Sequence, residues 1–509
     1  MNDRSGWRQF GIGVTAALGF VVVQLLVRLV AKVPSIVEIV QDRLVLLLPG
    51  QLFSFILDRL LYLGKPLFFV SLLIGVVVVL GGIGIAAVRS REPVLVAAAL
   101  WLASGLVELL VTGEGFFGGK AELAASSLVS FAAYAGLLVL FAKPLDRPVA
   151  LPQTGASDHA PRWDRRAIVG AGTLFVAAAV LVREVIGTLP TLPSTSGPSL
   201  GSATPPAVPG ESDSSITGLP PRITSAADFY VVSKNLIDPV VDQAGWSLAI
   251  SGNVDHPQTL SYAQLRALPS VQVERTLECI SNEVGGDLMS NGVWTGVRLA
   301  DLVRVVNPQP TSAFVNFVCT DGYTEFMSME QALDPNVILA YDLDGAPLPQ
   351  KHGFPVRILR TGTYGMKNPK WVTGIQFGGS AEPGFWEQQG WNPDAIVQTM
   401  SRIDTPIDGA TLKTGPQTIA GVAFAGDRGI QKVEVSSDGG KTWSPATLIP
   451  PVAPNQWSFW QIPWQPAAPG SYTLIARATD GTGKPQTSDD AETFPVGATG
   501  YHSIRVAVA

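Results

Sequence analysis

Hydrophobic and polar positions follow two different patterns along this chain. In the first third, apolar residues run unbroken near 10–31, 66–88, 93–112, 122–142 and 167–186. Each run is of membrane-spanning length or close to it. The pattern predicts five spanning helices within residues 1–186. Between the first two runs, VPSIVEIVQDRLVLLLPGQLFSFILDRLLYLGK is interrupted by Glu38, Asp42, Arg43, Asp58 and Arg59, which predicts interfacial amphipathic helices instead of a further span. Residues 187–225 then contain 8 Pro, 8 Ser, 6 Thr and 5 Gly, a composition that cannot bury a core and predicts an extended tether.

From residue 226 the apolar runs shorten. Residues 226–398 mix short strands with helices, an α+β texture. Within VERTLECISNEVGGDLMSNGVWTGVRLADL, Cys279 follows a strand-like run and precedes a polar, glycine-containing loop. Leu299, Leu302, Val303 and Val306 then recur at helical spacing, predicting a helix over Trp294–Val306. NFVCTDGYTEFMSMEQAL reads as strand, turn and strand around Asp321-Gly322, leading into a helix, with Cys319 as a core residue of its strand. In residues 399–509, KVEV and SYTLIARATD alternate apolar with polar positions, and SDGGK and TDGTGK supply turns. That predicts a β-sandwich of immunoglobulin-like type.

Composition sharpens the division. Hydrophobic residues make up 47% of the chain and charged residues 15%, with a net charge of -6. Residues 1–186 hold 16 Lys/Arg against 12 Asp/Glu, and the remainder 19 against 29. An apolar, basic first part and an acidic folded part exclude a nucleic-acid binder and suggest a membrane portion carrying a soluble domain. Arg4 and Arg8, Arg89 and Arg91, and the set Lys143, Arg147, Arg162, Arg165 and Arg166 fall on one side of a five-span arrangement. That side is cytoplasmic, so everything after residue 186 is expected outside. Arg165 and Arg166, in RWDRRAIVGAG, resemble a twin-arginine export signal. They read equally as more cytoplasmic positive charge. Glu108, in the third run, is placed to snorkel toward the outer end.

Two cysteines, Cys279 and Cys319, make neither a disulfide framework nor a cysteine-built zinc or iron–sulfur site, although one bridge between them is conceivable outside the cytoplasm. The four histidines, His159, His256, His352 and His502, lie outside the apolar runs, and no CxxCH occurs. No haem is expected, and a separate electron partner is.

The Cys279 segment and LAYDLDGAPLPQKHGFPVRILRTGTYGMKNPKWVTGIQF together resemble the sulfite oxidase family of molybdopterin-dependent oxidoreductases, and the resemblance covers nearly every segment of 226–398. It implies a molybdenum–molybdopterin cofactor with Cys279 as the one protein ligand to the metal. A soft thiolate suits a redox transition metal, and the pterin dithiolene supplies the other sulfurs. It further implies Tyr341 as the active-site tyrosine. His352, Gly353, Pro355 and Arg357 (HGxPxR) and Gly365, Lys367, Lys370 and Trp371 (GxKxxKW) would grip the pterin and its phosphate. Clustered Arg and Lys suit a phosphate, and glycines permit close backbone approach. Lys234-Asn235 stands where the family has an Arg-Asn pair near the substrate. AFAGDRGIQKVEVSSDGGKTW resembles the family's C-terminal dimerisation domain, placing Arg428 where an arginine reaches the substrate pocket; an exposed edge arginine is the other reading.

One departure stands out. Where the family's oxidases carry an arginine just after the ligand cysteine, this chain has ISNEVGG, with Glu283 and no basic residue before Arg298. Facing the metal, Glu283 would repel an anion, so sulfite is expected to be a poor substrate relative to a neutral sulfoxide. The resulting expectation is a multi-pass membrane protein with an extracytoplasmic molybdenum site. It would transfer an oxo group to or from a small sulfur-type substrate and exchange electrons with a cytochrome or quinone-linked membrane protein, and it would form a homodimer. The alternative is a cofactor-free scaffold that keeps the fold and has lost the site.

Overall fold

In the N-terminal third the apolar runs become helices: α1 (Asp3–Ala31), α2 (Ile36–Leu47), α3 (Gly50–Ser90), α4 (Pro93–Thr112), α5 (Ala121–Ala142) and α6 (Arg165–Gly187). The structure, a computed structural model, describes residues 3–31, 33, 35–47, 50–112, 121–142, 165–187, 216–235, 238–449, 451, 453 and 455–509. Most of the expected tether, together with Lys143, Arg147, His159 and Arg162, lies outside the described residues, as do the side chains of Arg4, Arg8, Glu108, Arg165 and Arg166.

Among the described residues, three helical stretches are long and apolar enough to cross a membrane: Gln9–Ala31, Leu67–Ser90 and Leu123–Ala142. The expected count of five is thus corrected to three. α4 runs over the 20 residues Pro93–Thr112 and carries Glu108 near its end, and the apolar stretch recognised in it among the described residues is Pro93–Leu106. α6 carries Arg165, Arg166, Arg183 and Glu184 in its sequence. A second correction concerns the expected interfacial segment, whose latter part runs on into the next span as one 41-residue helix, α3. α1 packs on α5 and α6. Its approach to α3 requires glycine, because a Cβ on Gly13 would lie 2.3 Å from the Gly81 carbonyl oxygen. Glu38, an interruption in the apolar pattern, is buried by pairing with Arg28 at 2.8 Å.

The chain divides into two compact units, Met1–Leu47 with Leu60–Thr191 and Lys234–Ile237, and Leu48–Arg59 with Leu192–Ser233 and Asp238–Ala509. The second unit begins with β1 (Ser247–Gly252), β2 (Gln258–Ser261), α7 (Tyr262–Arg266), β3 (Val271–Glu278), β4 (Met289–Arg298), α8 (Leu299–Val306) and β5 (Phe314–Cys319). It continues with β6 (Thr324–Ser328), β7 (Ile338–Leu343), β8 (Ala346–Pro347), β9 (Arg357–Leu359) and β10 (Val372–Gly378). One sheet has the order β2-β1-β10-β5-β6, with β1 and β10 parallel; the other runs β3-β4-β7-β8, with β9 also on β7. Side chains alternate over the first part of β7, where Leu339 and Tyr341 face the main core with α8 and Ile338 and Ala340 face a second cluster with Phe229 and Trp294; a register shift against β4 then brings Leu343 into that second cluster as well.

The predicted helix over Trp294–Val306 forms only from Leu299. Trp294–Arg298 belongs to β4, paired with β3 and β7. A strand buried on both faces shows no alternation, so its apolar run merges with that of the helix that follows.

The remaining strands are β11 (Met400–Thr405), β12 (Thr411–Leu412), β13 (Gln417–Phe424), β14 (Ile430–Ser436), β15 (Ser444–Pro445), β16 (Thr447–Ile449), β17 (Ser458–Trp464), β18 (Gly470–Asp480) and β19 (His502–Val508). They form two sheets, β11-β13-β17-β16 and β12-β19-β18-β14-β15. Ile419 and Trp460 from the first sheet meet Val433, Leu474 and Ile504 from the second in one core. A separate apolar seam joins this sandwich to the mixed domain: Ile280, Met289 and Tyr364 pack with Val422, Phe424, Trp457 and Phe459. Ile280 is the residue after Cys279, so the seam runs directly beneath the candidate site.

Candidate active site

β3 delivers Cys279. The strand's last four residues, Arg275 to Glu278, are buried, and Cys279 itself is 8% exposed. The loop that follows is held at several points. Cys279 N donates to Leu288 O at 2.9 Å, and Asn282 N donates to Cys279 O at 3.0 Å. Asn282 also donates from Nδ2 to Glu278 Oε1 at 2.9 Å and accepts at Oδ1 from Leu288 N at 2.9 Å. Arg402, from β11, donates to Gly286 O at 2.6 Å. On the strand side, Thr276 Oγ1 accepts from Trp457 N at 2.9 Å. The sandwich therefore grips the chain both before and after the thiol.

Cys279 Sγ lies 3.1 Å from Ser281 Oγ. Burial pushes the thiol up, against the hydrogen bond from Ser281. Burial also pushes Glu278 up to about 7, against the Asn282 hydrogen bond, and its Oε2 is buried without a partner. Tyr230 and Tyr364 both lie within electrostatic reach of Cys279, and burial holds both phenols well above their ordinary value. The Tyr364 hydroxyl accepts from Gln398 N at 3.1 Å. Gly365 makes room for the other ring, since a Cβ there would lie 2.7 Å from the Tyr230 hydroxyl.

The HGxPxR and GxKxxKW elements converge on one side of this centre. Arg357 is buried and donates only to the carbonyls of His352, at 3.3 Å, and Asn368, at 3.1 Å. Its Nε has no partner, and burial draws the guanidinium down to about 10. Lys370 donates only to the carbonyls of Val232 and Lys351, at 3.3 and 3.0 Å, with its ammonium 4.3 Å from the centre of the Trp371 ring. Burial lowers this lysine too, against the pull of Asp238, and Arg357 and Cys279 both act on it. His352 Nε2 lies 2.9 Å from Ala226 O. Burial, then Lys370, Lys351 and Arg357, hold His352 well below its ordinary value. Trp371 is buried and donates to Gln350 O at 2.8 Å. Gly353, at φ 106°, leaves room for Lys370, whose Cβ a methyl group there would approach to 2.9 Å.

Other expected residues lie elsewhere. Lys367 is fully buried, and its ammonium is paired with the carboxylates of both Glu325 and Glu387. Its charge is balanced within the protein, which removes it from the set of cations open to a phosphate. Tyr341 sits in the main core, with the Arg266 guanidinium 4.5 Å from its ring centre. The alternation of β7 turns it inward, and Tyr364 and Tyr230 are the tyrosines beside Cys279. Arg428 pairs with Asp480 at 2.9 Å and donates to Val397 O at 2.8 Å. It lines a cleft of about 320 Å³ with Gln398, Thr399 and Lys484, and it acts on Tyr364. Lys234 and Asn235 fall in the first compact unit, where Lys234 Nζ donates to Asn235 Oδ1 at 2.9 Å.

Glu283 is solvent-exposed, which removes the premise that it confronts an anion at the metal. Cys319 is a core residue of β5, and both cysteines are free. Ser281, Glu278, Tyr230, Tyr364 and Arg402 were not found from sequence. Tyr364 stands one place ahead of the GxKxxKW element, which was the available signal; Arg402 belongs to another domain, and no local pattern points to it.

These residues fit an anionic, metal-bearing cofactor. An unpaired buried guanidinium is costly unless a counter-charge arrives, and here one stands with a second buried cation that makes no ion pair among the described residues, although Asp238 acts on it, and with a soft sulfur. Among the described residues no cluster of three or more His, Cys, Asp or Glu could hold a metal by itself.

Comparison with known proteins agrees. A family model described as an oxidoreductase molybdopterin binding domain matches residues 235–386, and one described as a Mo-co oxidoreductase dimerisation domain matches residues 394–507. Sulfite oxidase of Arabidopsis thaliana is 29% identical over 316 residues, covering 50% of this chain and 80% of the relative. The uncharacterized oxidoreductase YuiH of Bacillus subtilis is 31% identical over 174 residues, 34% of this chain and 86% of the relative. The mitochondrial sulfite oxidase of Mus musculus is 30% identical over 270 residues, and this chain spans only 49% of its length. Among solved structures, the sulfane dehydrogenase SoxCD from Paracoccus pantotrophus matches at 22% identity and a TM-score of 0.49, covering 55% of this chain and 80% of that one. With the Cys279 loop, the buried cations that make no ion pair and both domain matches in place, the chain belongs to the sulfite oxidase family of molybdopterin-dependent oxidoreductases and is an enzyme of that family.

Proposed function

We propose that this enzyme is anchored in a membrane and performs two-electron oxo transfer on a small extracytoplasmic sulfur compound, exchanging electrons with a separate cytochrome or quinone-linked protein. The observation that carries the catalytic part is Arg357, a buried guanidinium with no carboxylate and a free Nε, beside Lys370. Such a pair is built for an anion that the chain does not supply. Cys279 would be the protein's ligand to molybdenum. Arg357 and Lys370 would take the cofactor phosphate, while His352, Gly365 and Trp371 shape the pterin's bed. The family resemblance adds Asn235 on the cofactor side and Lys234 on the substrate side.

When bound, the molybdenum–pterin group supplies the two-electron couple and the site of oxygen exchange between water and substrate. The chain's own residues do the rest. Tyr364, kept protonated by burial and accepting from Gln398 N, has its hydroxyl hydrogen free to donate to a substrate oxygen. The apolar seam of Ile280, Met289 and Phe424 excludes water from beneath the loop. Arg428 carries its counter-charge in Asp480 at the cleft wall, so among the described residues Lys484 is the cation there that makes no ion pair and suits an oxyanion, and an exposed Glu283 does not oppose it.

The anchor reading is supported by large apolar side chains that remain exposed along the helices, Leu67, Val79, Leu95, Leu140 and Phe175 among them, a pattern suited to lipid contact. Basic residues before the first long apolar helix and after the second favour a cytoplasmic N-terminus, and three crossings would then leave the catalytic unit outside, although the basic set Lys143, Arg147, Arg162, Arg165 and Arg166 after the third crossing opposes that count. Arg165 and Arg166, at the start of α6, would act as an export signal or as cytoplasmic charge only if α6 is engaged from the cytoplasmic side, and replacing both by Lys keeps the charge and separates these two roles. The strand order, with its parallel β12–β19 edge, supports reading the sandwich as immunoglobulin-like. The family description matched at residues 394–507 supports a homodimer.

The deciding experiment is metal and pterin analysis of the full chain from a molybdenum-competent host. About one molybdenum per chain is expected. Cys279→Ser should abolish turnover and the sulfur-to-metal absorption while leaving pterin content and melting temperature largely intact. Full activity with an unchanged spectrum in that variant would remove Cys279 as the ligand.

A further inference from the structure

We propose that Ser281 tunes the metal centre: its hydroxyl donates a hydrogen bond to the Cys279 sulfur and so sets the redox poise of the metal to which that sulfur binds. This rests on Cys279 being the ligand. The two atoms lie 3.1 Å apart, and Ser281 is itself buried at 8% exposure. A metal-bound thiolate has no proton, so it can only accept, and the serine O–H must be the donor. The backbone amides of Ser281 and Ile280 also act on the same sulfur, which places the thiolate in a small nest of donors.

The hydroxyl is held in place. Asn282 N closes a turn back onto Cys279 O at 3.0 Å. The Asn282 side chain ties the loop to Glu278 and Leu288, and Arg402 fixes Gly286 from the sandwich. Ser281 does not need to touch substrate, so it is a positioning residue. Hydrogen bonds to a ligating sulfur withdraw charge from it, weaken its donation to the metal and favour the reduced state. The next turn of the loop, with exposed Glu283, has no such reach.

The test uses the full-length holoprotein and compares Ser281→Ala with Ser281→Thr, which retains a hydroxyl. Three quantities are read: molybdenum per chain, the sulfur-to-metal absorption band, and the reduction potential. With metal content near wild type, Ser281→Ala should lower the potential and move the band to longer wavelength, and Ser281→Thr should bring both back toward wild type. An unchanged band and potential in Ser281→Ala at equal metal content overturns the proposal. So does an equal shift in both variants, because the hydroxyl is then not the cause. If neither variant loads metal while both melt like wild type, Ser281 builds the loop instead of tuning it, and the proposal falls. Cys279→Ser keeps the two readings apart: a band that survives there sinks the ligand assignment itself, whatever Ser281 does.

Discussion

Lys367 and Lys370 stand three residues apart in one motif, and each holds its ammonium over an aromatic ring, 4.6 Å from Phe326 and 4.3 Å from Trp371. Their electrostatic surroundings are opposite. Lys367 is closed off by two carboxylates, Glu325 from β6 and Glu387 from the segment after β10. Among the described residues Lys370 makes no ion pair and hydrogen-bonds only carbonyl oxygens, with Asp238 acting on it at longer range, and its neighbour Arg357 likewise donates only to carbonyls. The first is an ion cluster complete within the protein. The second is a cation pair left open. A motif specifies that two lysines are present; which one receives a ligand depends on where the acids are.

The largest effect should come from breaking the closed cluster. Lys367→Met leaves Glu325 and Glu387 buried without a cation, and losing one partner of a buried ion pair costs about 3–5 kcal/mol. The loss should appear in urea unfolding whether or not cofactor is present, and Glu325→Gln in the same chain should restore part of it. An unloaded protein of unchanged stability that no longer retains cofactor would reverse the assignment and return Lys367 to the phosphate.

The open pair should behave in the opposite sense. Arg357→Met removes a buried charge that nothing in the chain neutralises, so the unloaded protein should be as stable as wild type or more so. Retention of the cofactor should fall by about 1.5–3 kcal/mol, or roughly one to two decades, read as pterin and molybdenum remaining after prolonged dialysis. Equal destabilisation of loaded and unloaded protein would make Arg357 a structural cation like Lys367.

This contrast also marks what was legible in the sequence. The strand before Cys279, the turn at Asp321-Gly322 and the alternating strands of the sandwich were all local patterns, and the structure has them. The pairing of Lys367 with Glu325 and Glu387 was not legible, because both acids are distant in sequence and nothing near the lysine announces them. Tyr341, expected at the active site, packs in the main core beside Arg266, a placement that the strands flanking β7 fix and that no local pattern announces. The helix expected from Trp294 failed because a doubly buried strand and a buried helix present the same apolar run. Arg402 was invisible, since it reaches the Cys279 loop from a separate domain. The five-span expectation joined hydropathy to the one-sided basic loops and counted α6, whose 23 residues also carry Arg183 and Glu184 near the end.

A smaller effect sharpens the picture of the open side. His352 is held neutral by burial and by Lys370, Lys351 and Arg357. Its folded value is depressed, so the unfolded chain takes up a proton first as pH falls below about 6.5. Stability from this group is therefore present above that pH and lost below it, at up to about 1.4 kcal/mol per pH unit. Unfolding of unloaded protein between pH 7.5 and 5 should show this slope on top of other contributions, and His352→Gln should flatten it. A slope unchanged in the variant would mean that the three cations do not act on this ring.

The smallest effect is expected at Glu283, and it tests whether charge matters there by sequence position or by surroundings. Its place, four residues after Cys279, first suggested that it repels sulfite. Its exposure now argues otherwise. An exposed carboxylate acts through water and salt, and screening at physiological ionic strength limits its reach to about 8 Å. Lys484 at the cleft is left without that opposition, and Arg428 there is already paired with Asp480. Glu283→Arg should therefore change sulfite turnover by no more than about twofold, with little dependence on added salt. Arg428→Ala, by contrast, should raise the sulfite KM more than it lowers kcat, because it removes a cation from the cleft and leaves Tyr364 in place. A selective, salt-sensitive gain of tenfold or more in Glu283→Arg would show that this loop turns inward when substrate binds, and would restore the carboxylate as the feature that disfavours an anion.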